Sequence, residues 1–409
     1  MTYGSETNYC PVFVFGVARS GTNLLARLVG ADPTVALALD ALLPLFKAWR
    51  NAIASQIPDR LDTPLTADAA FQDCYFAADG FTLLEATLEA DAGRHLALTP
   101  ALAEAVRARA ALESPKLAEA FRNWSGDSVR TLIADAIRVA GASAEHAGSG
   151  RIRTVCIKEL WTADFIPALA RAFPQARFLL IHRDPRAVAA SLIALSRRDE
   201  SQAAHLVSYL RHWRKQVALA QHFATRSDLS HRVLAIRYED LLADPRRTIA
   251  DLGAFTGLLD LQLSPAAESS AVWRSNSSFV AVRGEIDPKA AERWRSWLDP
   301  DVVATVDYHC APEMRLLHYL PDRPSNSVGR LTDPIRKTVV AADEAPGKWR
   351  SDSGDPAADL NWEQHRWSLL SGSEADREMV RRCFLFEQTL DAARKAQSDA
   401  MLIETRSAV

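Results

Sequence analysis

Residues 11–25, PVFVFGVARSGTNLL, force a strand, a tight turn and a helix on the chain in quick succession. Phe13, Val14 and Phe15 form an unbroken apolar run, the pattern of a short parallel strand buried on both faces. Gly16 to Thr22 then turns the chain, and residues 23–29 continue as a helix with an apolar stripe. Backbone N–H groups at such a turn and helix start converge on negative charge, and the helix dipole adds to the attraction. An α/β fold with an anion site at the end of its first strand is therefore expected.

Two further segments have the same character. The spacing of Gly16 and Gly21 matches a nucleotide-triphosphatase P-loop, but Thr22 stands where that motif needs lysine. The cation is Arg19 instead, ahead of the second glycine. Residues 177–192, RFLLIHRDPRAVAASL, read as a strand to His182, with Pro185 suited to the first turn of the next helix. Arg183 at the strand end and Ser191 eight residues later can grip one phosphate from two sides. Residues 233–258, VLAIRYEDLLADPRRTIADLGAFTGL, read as another buried strand over 233–236. A helix then starts at Asp244-Pro245 and stops at Gly257.

Together these segments resemble sulfotransferases that use 3′-phosphoadenosine 5′-phosphosulfate (PAPS), in the style of a soluble bacterial member of the carbohydrate and tyrosylprotein type. The resemblance covers roughly 11–40 and 150–320 in broken pieces. It implies a parallel sheet flanked by helices, akin to P-loop kinases, with the nucleotide at the carboxyl ends of the strands. It also implies that Arg19, Ser20, Gly21, Thr22 and Asn23 hold the 5′-phosphosulfate, and that Arg183 and Ser191 hold the 3′-phosphate. Tyr238 and Glu239 fall in the RYEDL segment, where Tyr238 counts with the nucleotide-binding set by fixing the strand and adjoining loop. Residues 279–298, FVAVRGEIDPKAAERWRSWL, resemble the segment that folds over the nucleotide. Arg283 and Gly284 would lie near its 3′-phosphate, with Trp294 packing beneath.

Sulfuryl transfer by in-line attack loads charge onto the bridging oxygen and needs a base for the acceptor proton. Arg19 is the expected cation, and Lys158, after a strand over 154–157, can reach the transferred group. Cytosolic small-molecule sulfotransferases place a histidine in a Lys-Thr-His segment, whereas this chain has Lys158-Glu159-Leu160. Two carboxylates remain as the base. Asp40 occupies the place of a glutamate in tyrosylprotein-type and many bacterial relatives, and Glu159 is the runner-up. Ser20 and Thr22 are also turn and helix-cap residue types. His182 reads as structural, and tryptophans such as Trp49, Trp124 and Trp161 read as core.

The expected organisation is a sulfotransferase domain over 1–320 and a C-terminal extension over 321–409. Residues 1–40 supply the first strand, loop and helix. A helical insertion over 41–150 faces the acceptor and ends in a loop over 141–150. Short strands alternate with helices from 151 to about 319, then comes an irregular connection over 321–360 and a last helix over about 374–396. The expected acceptor is a hydroxyl of a carbohydrate, glycolipid or natural product. A net charge of −3 does not advertise nucleic-acid binding, and the five scattered cysteines fit neither a zinc site nor a disulfide framework. No metal is expected. The first residues lack a leader pattern and no 18-residue apolar run occurs, so a cytoplasmic location without a transmembrane segment is expected. The alternatives are an ATP–Mg kinase and a catalytically inactive nucleotide-binding homologue.

Overall fold

Parallel strands need crossover helices, and this chain provides them. The computed structural model describes residues 9–57, 71, 78–113, 115–146, 151–199, 205–261, 288–344, 356–372 and 376–407. Its strands are β1 (Cys10–Gly16), β2 (Val35–Leu39), β3 (Thr154–Leu160), β4 (Arg177–His182) and β5 (Val233–Arg237). They pair in parallel in the order β2-β3-β1-β4-β5. Helix α1 (Thr22–Val29) follows β1. Between β2 and β3 come α2 (Leu43–Ala54), α3 (Ala78–Leu88), α4 (Pro100–Glu113), α5 (Pro115–Ala120) and α6 (Val129–His146). Helix α7 (Ile166–Ala172) follows β3, α8 (Pro185–Arg198) and α9 (Leu206–Thr225) follow β4, and α10 (Tyr238–Ala243) and α11 (Pro245–Thr256) follow β5. The remaining helices are α12 (Pro300–Leu316), α13 (Asp333–Glu344), α14 (Pro356–Ser371), α15 (Arg377–Phe384) and α16 (Glu387–Ser407). Among the described residues, no helix is long and apolar enough to cross a membrane.

Side-chain alternation explains why β1 lies at the centre. Val12 and Val14 pack on one face with Leu25, Val29, Leu179 and Ile181. Phe13 and Phe15 point to the other face, where Phe13 stacks on Phe178 at 5.5 Å and on Phe15 at 5.9 Å. The strand order reverses beside β1, between neighbours β3 and β4, and ligands of open α/β sheets bind at such a switch point.

Several sequence expectations need correction. Residues 35–39, VALAL, form the largely buried strand β2, not merely a segment leaving α1. Strand β5 is at the sheet edge and is half-buried: Ala235 is exposed, and only Ile236 is buried. The expected loop over 141–150 is helical as far as His146, and the Tyr9 ring packs on Gly141, where a Cβ would lie 2.6 Å from it. Residues 147–150 lie outside the described residues. Among the described residues no strand follows β5, and 288–316 consist of two short 3-10 turns and α12. The 321–360 connection contains α13, begun by Asp333-Pro334, and the start of α14. The last helix is two, because Leu385 takes a left-handed φ of 66° between α15 and α16.

The chain forms two compact units. One comprises Met1–Phe71, Glu85–His182 and Ser227–Asp287 and holds the sheet; the other comprises Gln72–Leu84, Arg183–Arg226 and Pro288–Val409. In the second, α14 is tied to α9 and α12 by buried ion pairs. Glu363 contacts Arg214 at 2.7 Å, Asp359 contacts Arg211 at 3.0 Å, and Arg366 pairs with Glu313. Burial alone would raise the Glu363 carboxyl, but Arg214 and its neighbours outweigh it and bring the group down to about 2. Breaking one such pair leaves a buried charge alone, which costs about 3–5 kcal/mol. Arg366→Met should lose that much in urea unfolding, and adding Glu313→Leu should recover most of it. A single-variant loss below about 1 kcal/mol, the scale of an exposed pair, would contradict this.

Candidate active site

The turn after β1 is closed from within. Ser20 is fully buried, and its N–H and Oγ both donate to the Val17 carbonyl, at 3.2 and 2.7 Å. Its hydroxyl therefore does not cap α1, and neither does that of Thr22. The N-cap is Gly21, with φ 100°, and no side chain caps the helix. The cap role expected of Ser20 and Thr22 is corrected: the turn needs a left-handed residue at the cap, which favours glycine over a hydroxyl. The first N–H groups of α1 remain without a side-chain acceptor, the condition for holding an anion. The packing is tight. A Cβ on Gly16 would lie 2.5 Å from the Thr22 methyl, and one on Gly21 would lie 2.4 Å from the Tyr238 ring. Tyr238 thus packs on the turn from the start of α10. Arg19 has φ 70°, a left-handed conformation that costs an L-residue about 1–2 kcal/mol. The Asn23 Oδ1 is buried without a hydrogen-bond partner.

A second cluster lies at the same end of the sheet. Lys158 is within β3, not after it, and is paired in register with Leu39 of β2 and Val14 of β1. Asp40 follows Leu39 directly; its N–H donates to the Lys158 carbonyl at 2.8 Å, after which φ 50° bends the chain away. Lys158 Nζ reaches Asp40 Oδ2 at 2.5 Å, with both side chains buried. Arg109, from α4, adds its Nε to the Asp40 carbonyl at 3.3 Å and Nη2 to Oδ2 at 3.9 Å. Both cations gather on one carboxylate oxygen. The other, Asp40 Oδ1, is buried without a hydrogen-bond partner. Glu159 is wholly buried, and its Oε1 accepts the Leu42 N–H at 2.6 Å. Burial, then the charge of Asp40, holds the Glu159 carboxyl well above the usual carboxylate range. Only β3 separates β1 from β2, so the turn and Asp40 emerge from strands about 10 Å apart. His182, at the end of β4, is buried and its pKa is lowered by burial to about 4, which keeps it neutral.

Arg183 and Ser191 belong to the second unit. Asp184 caps α8 by accepting the Arg186 N–H at 2.8 Å, with Pro185 in the first turn. Arg183 donates from Nη2 to the Ala290 carbonyl at 2.9 Å, and its own carbonyl accepts Trp213 Nε1 at 2.8 Å. Ser191 is buried on α8. Trp294 is also buried, 4.1 Å beneath the Arg186 guanidinium. Arg186 grips Asp184 with two donors, at 3.0 and 2.7 Å, and meets Asp322 at 3.0 Å. Arg283 and Gly284 lie outside the described residues.

Sequence reasoning missed Arg109 and Arg186. Arg109 is one of several arginines on a helix without a strong apolar stripe, so no local pattern singles it out. Arg186 had a signal: an Asp-Pro-Arg helix start lets the side chain at N2 fold back onto its cap.

With this geometry in place, the comparisons identify the family. A family model described as the sulfotransferase family matches residues 11–260, and the chain belongs to that family. Similar solved structures include the sulfotransferase domain of the Synechococcus olefin synthase, at 21% identity over 73% of this chain and 92% of that one, TM-score 0.41. The sulfotransferase domain from the curacin biosynthetic pathway is 14% identical over 76% of this chain and 99% of that one, TM-score 0.44. A sulfotransferase from Alicyclobacillus acidocaldarius is 15% identical over 78% of this chain and 98% of that one, TM-score 0.34.

Gly21 and Gly257 separate backbone strain from site damage. Both have left-handed φ, 100° and 77°, but a Cβ at Gly257 would meet nothing within 4 Å. Each alanine variant should lose about 1–2 kcal/mol in thermal unfolding from strain alone. Gly21→Ala should lose more than that, because its Cβ also meets the Tyr238 ring, whereas Gly257→Ala should lose no more than the strain. Equal losses by the two variants would contradict the close packing of Tyr238 on the turn.

Proposed function

We propose that this chain transfers the sulfuryl group of PAPS to a hydroxyl of a carbohydrate, glycolipid or natural product. Asp40 is the base. The acceptor oxygen forms a bond to sulfur as the bond from sulfur to the bridging phosphate oxygen breaks. The acceptor proton passes to Asp40, and 3′-phosphoadenosine 5′-phosphate leaves. The observation that carries this reading is the division of labour within the Asp40 carboxylate. Oδ2 is held by Lys158, while Oδ1 is left without a hydrogen-bond partner at the end of the sheet where the β1 turn lies. A carboxylate fixed at one oxygen and without a hydrogen bond at the other is oriented for proton abstraction.

The other residues divide by charge. Backbone donors from Gly21 to Asn23 and the Arg19 guanidinium stabilise the charge growing on the bridging oxygen, while Ser20, its N–H and hydroxyl both given to the Val17 carbonyl, and Thr22 hold the turn's shape. Lys158 is committed to Asp40, so its part is to orient the base rather than to approach sulfur alone. Arg183 and Ser191 take the 3′-phosphate, with Arg183 presented from a carbonyl-anchored start of α8. Arg109 is the more open cation at Asp40, its side chain 34% exposed against 1% for Lys158, and lies on the helical insertion assigned to the acceptor.

Asp40→Asn keeps the shape and an acceptor for Lys158 but removes the base. Turnover should fall by about 10²–10⁴-fold, the usual scale for a lost general base. Calorimetric affinity for 3′-phosphoadenosine 5′-phosphate should stay within about twofold, because uniform binding is untouched. Undiminished turnover would remove Asp40 from the mechanism.

A further inference from the structure

Glu159 is the one carboxyl of the cluster with no exposed surface at all. What it does touch is backbone. The β2–β3 ladder ends with the Asp40 N–H on the Lys158 carbonyl, and Asp40 then turns out of the sheet with its left-handed φ. Two residues later the chain must start α2, and no side chain caps that start at Leu42. The Leu42 N–H is instead caught from the neighbouring strand by Glu159 Oε1 at 2.6 Å. Asp40 is therefore pinned on both sides, by Lys158 before the bend and by Glu159 after it.

We infer that Glu159 is a positioning residue, which holds Asp40 in its bent conformation by anchoring Leu42, and is not itself the base. This rests on the reading of Asp40 as the base. The remaining Glu159 oxygen, Oε2, is buried without a hydrogen-bond partner. Burial and then the charge of Asp40 favour the neutral acid, and Oε1 accepts the Leu42 N–H in either protonation state. A neutral carboxyl has no proton-accepting role in the reaction, but glutamine reproduces its shape, its acceptor and a donor on the second atom. Alanine reproduces none of them and leaves the Leu42 N–H buried and alone.

The test compares Glu159→Gln, Glu159→Ala and Asp40→Asn on the full chain, each first checked for folding by urea midpoint. Turnover is followed with water as the acceptor, as release of sulfate and 3′-phosphoadenosine 5′-phosphate from PAPS. Hydrogen exchange is followed over residues 40–46, which reports on Leu42 whether or not turnover is measurable. Glu159→Gln should keep turnover within about threefold and leave the exchange unchanged, since it preserves the hydrogen bond. Glu159→Ala should lose about 100-fold in kcat with KM for PAPS little changed, the scale of a displaced reacting group. Its exchange over 40–46 should speed up by about tenfold, as expected when a local hydrogen bond is lost. Loss of turnover in Glu159→Gln as deep as in Asp40→Asn would make Glu159 a proton carrier and overturn the inference. So would unchanged exchange in a folded Glu159→Ala protein. Full turnover by Asp40→Asn would instead sink the reading of Asp40, whatever the Glu159 variants do.

Discussion

A lysine inside β3 and an aspartate just beyond β2 meet at 2.5 Å with almost no exposed surface, and the rest of the candidate site is arranged around that contact. In a low-dielectric setting, an ammonium and a carboxylate that lose their water must be paired, or the fold pays several kcal/mol for each. The pair fixes which oxygen of Asp40 is bonded and which has no hydrogen-bond partner. It also holds Asp40 in a backbone conformation that L-residues avoid. Arg19 and Trp161 share that conformation, so left-handed residues follow β1, β2 and β3 near their carboxyl ends. Strain of this kind persists where surrounding contacts over-determine it, and such places cluster at functional sites.

The sheet supplies the frame. β1 lies between β3 and β4 at the point where the strand order reverses, and its stacked phenylalanines and paired valines bury it on both faces. From that anchored strand the turn at 16–22 can be tight without collapsing. Its inner space is filled by the Ser20 hydroxyl and the Thr22 methyl, and its outer wall by Tyr238. What remains for a ligand is the run of N–H groups at the start of α1.

Much of this is written locally and was legible. The run Phe13-Val14-Phe15 ends in a Gly-bounded turn, Asp184-Pro185 starts α8, and Asp244-Pro245 and Gly257 bound α11, all by neighbours within a few residues. Contacts between distant segments were not. Arg109 reaches Asp40 across 69 positions, and Glu159 reaches Leu42 across 117, so no window of the sequence contains either pair. β2 escaped because VALAL is short and follows a helix closely, while the break in the last helix lies at the left-handed Leu385, a residue type that carries no turn signal. Asp40 and Lys158 were each named, but their direct bond appears only when β2 and β3 lie side by side.

The central claim is a nucleotide site that recognises the 3′-phosphate, and titration calorimetry on the full chain tests it most directly. The comparison is 3′-phosphoadenosine 5′-phosphate against AMP and ATP–Mg²⁺. A dissociation constant on the order of 1 μM for the first, with AMP weaker by about a hundredfold, is the expected result, the difference of a charge-assisted phosphate contact. Equal affinity for AMP, or a preference for ATP–Mg²⁺, would contradict the account.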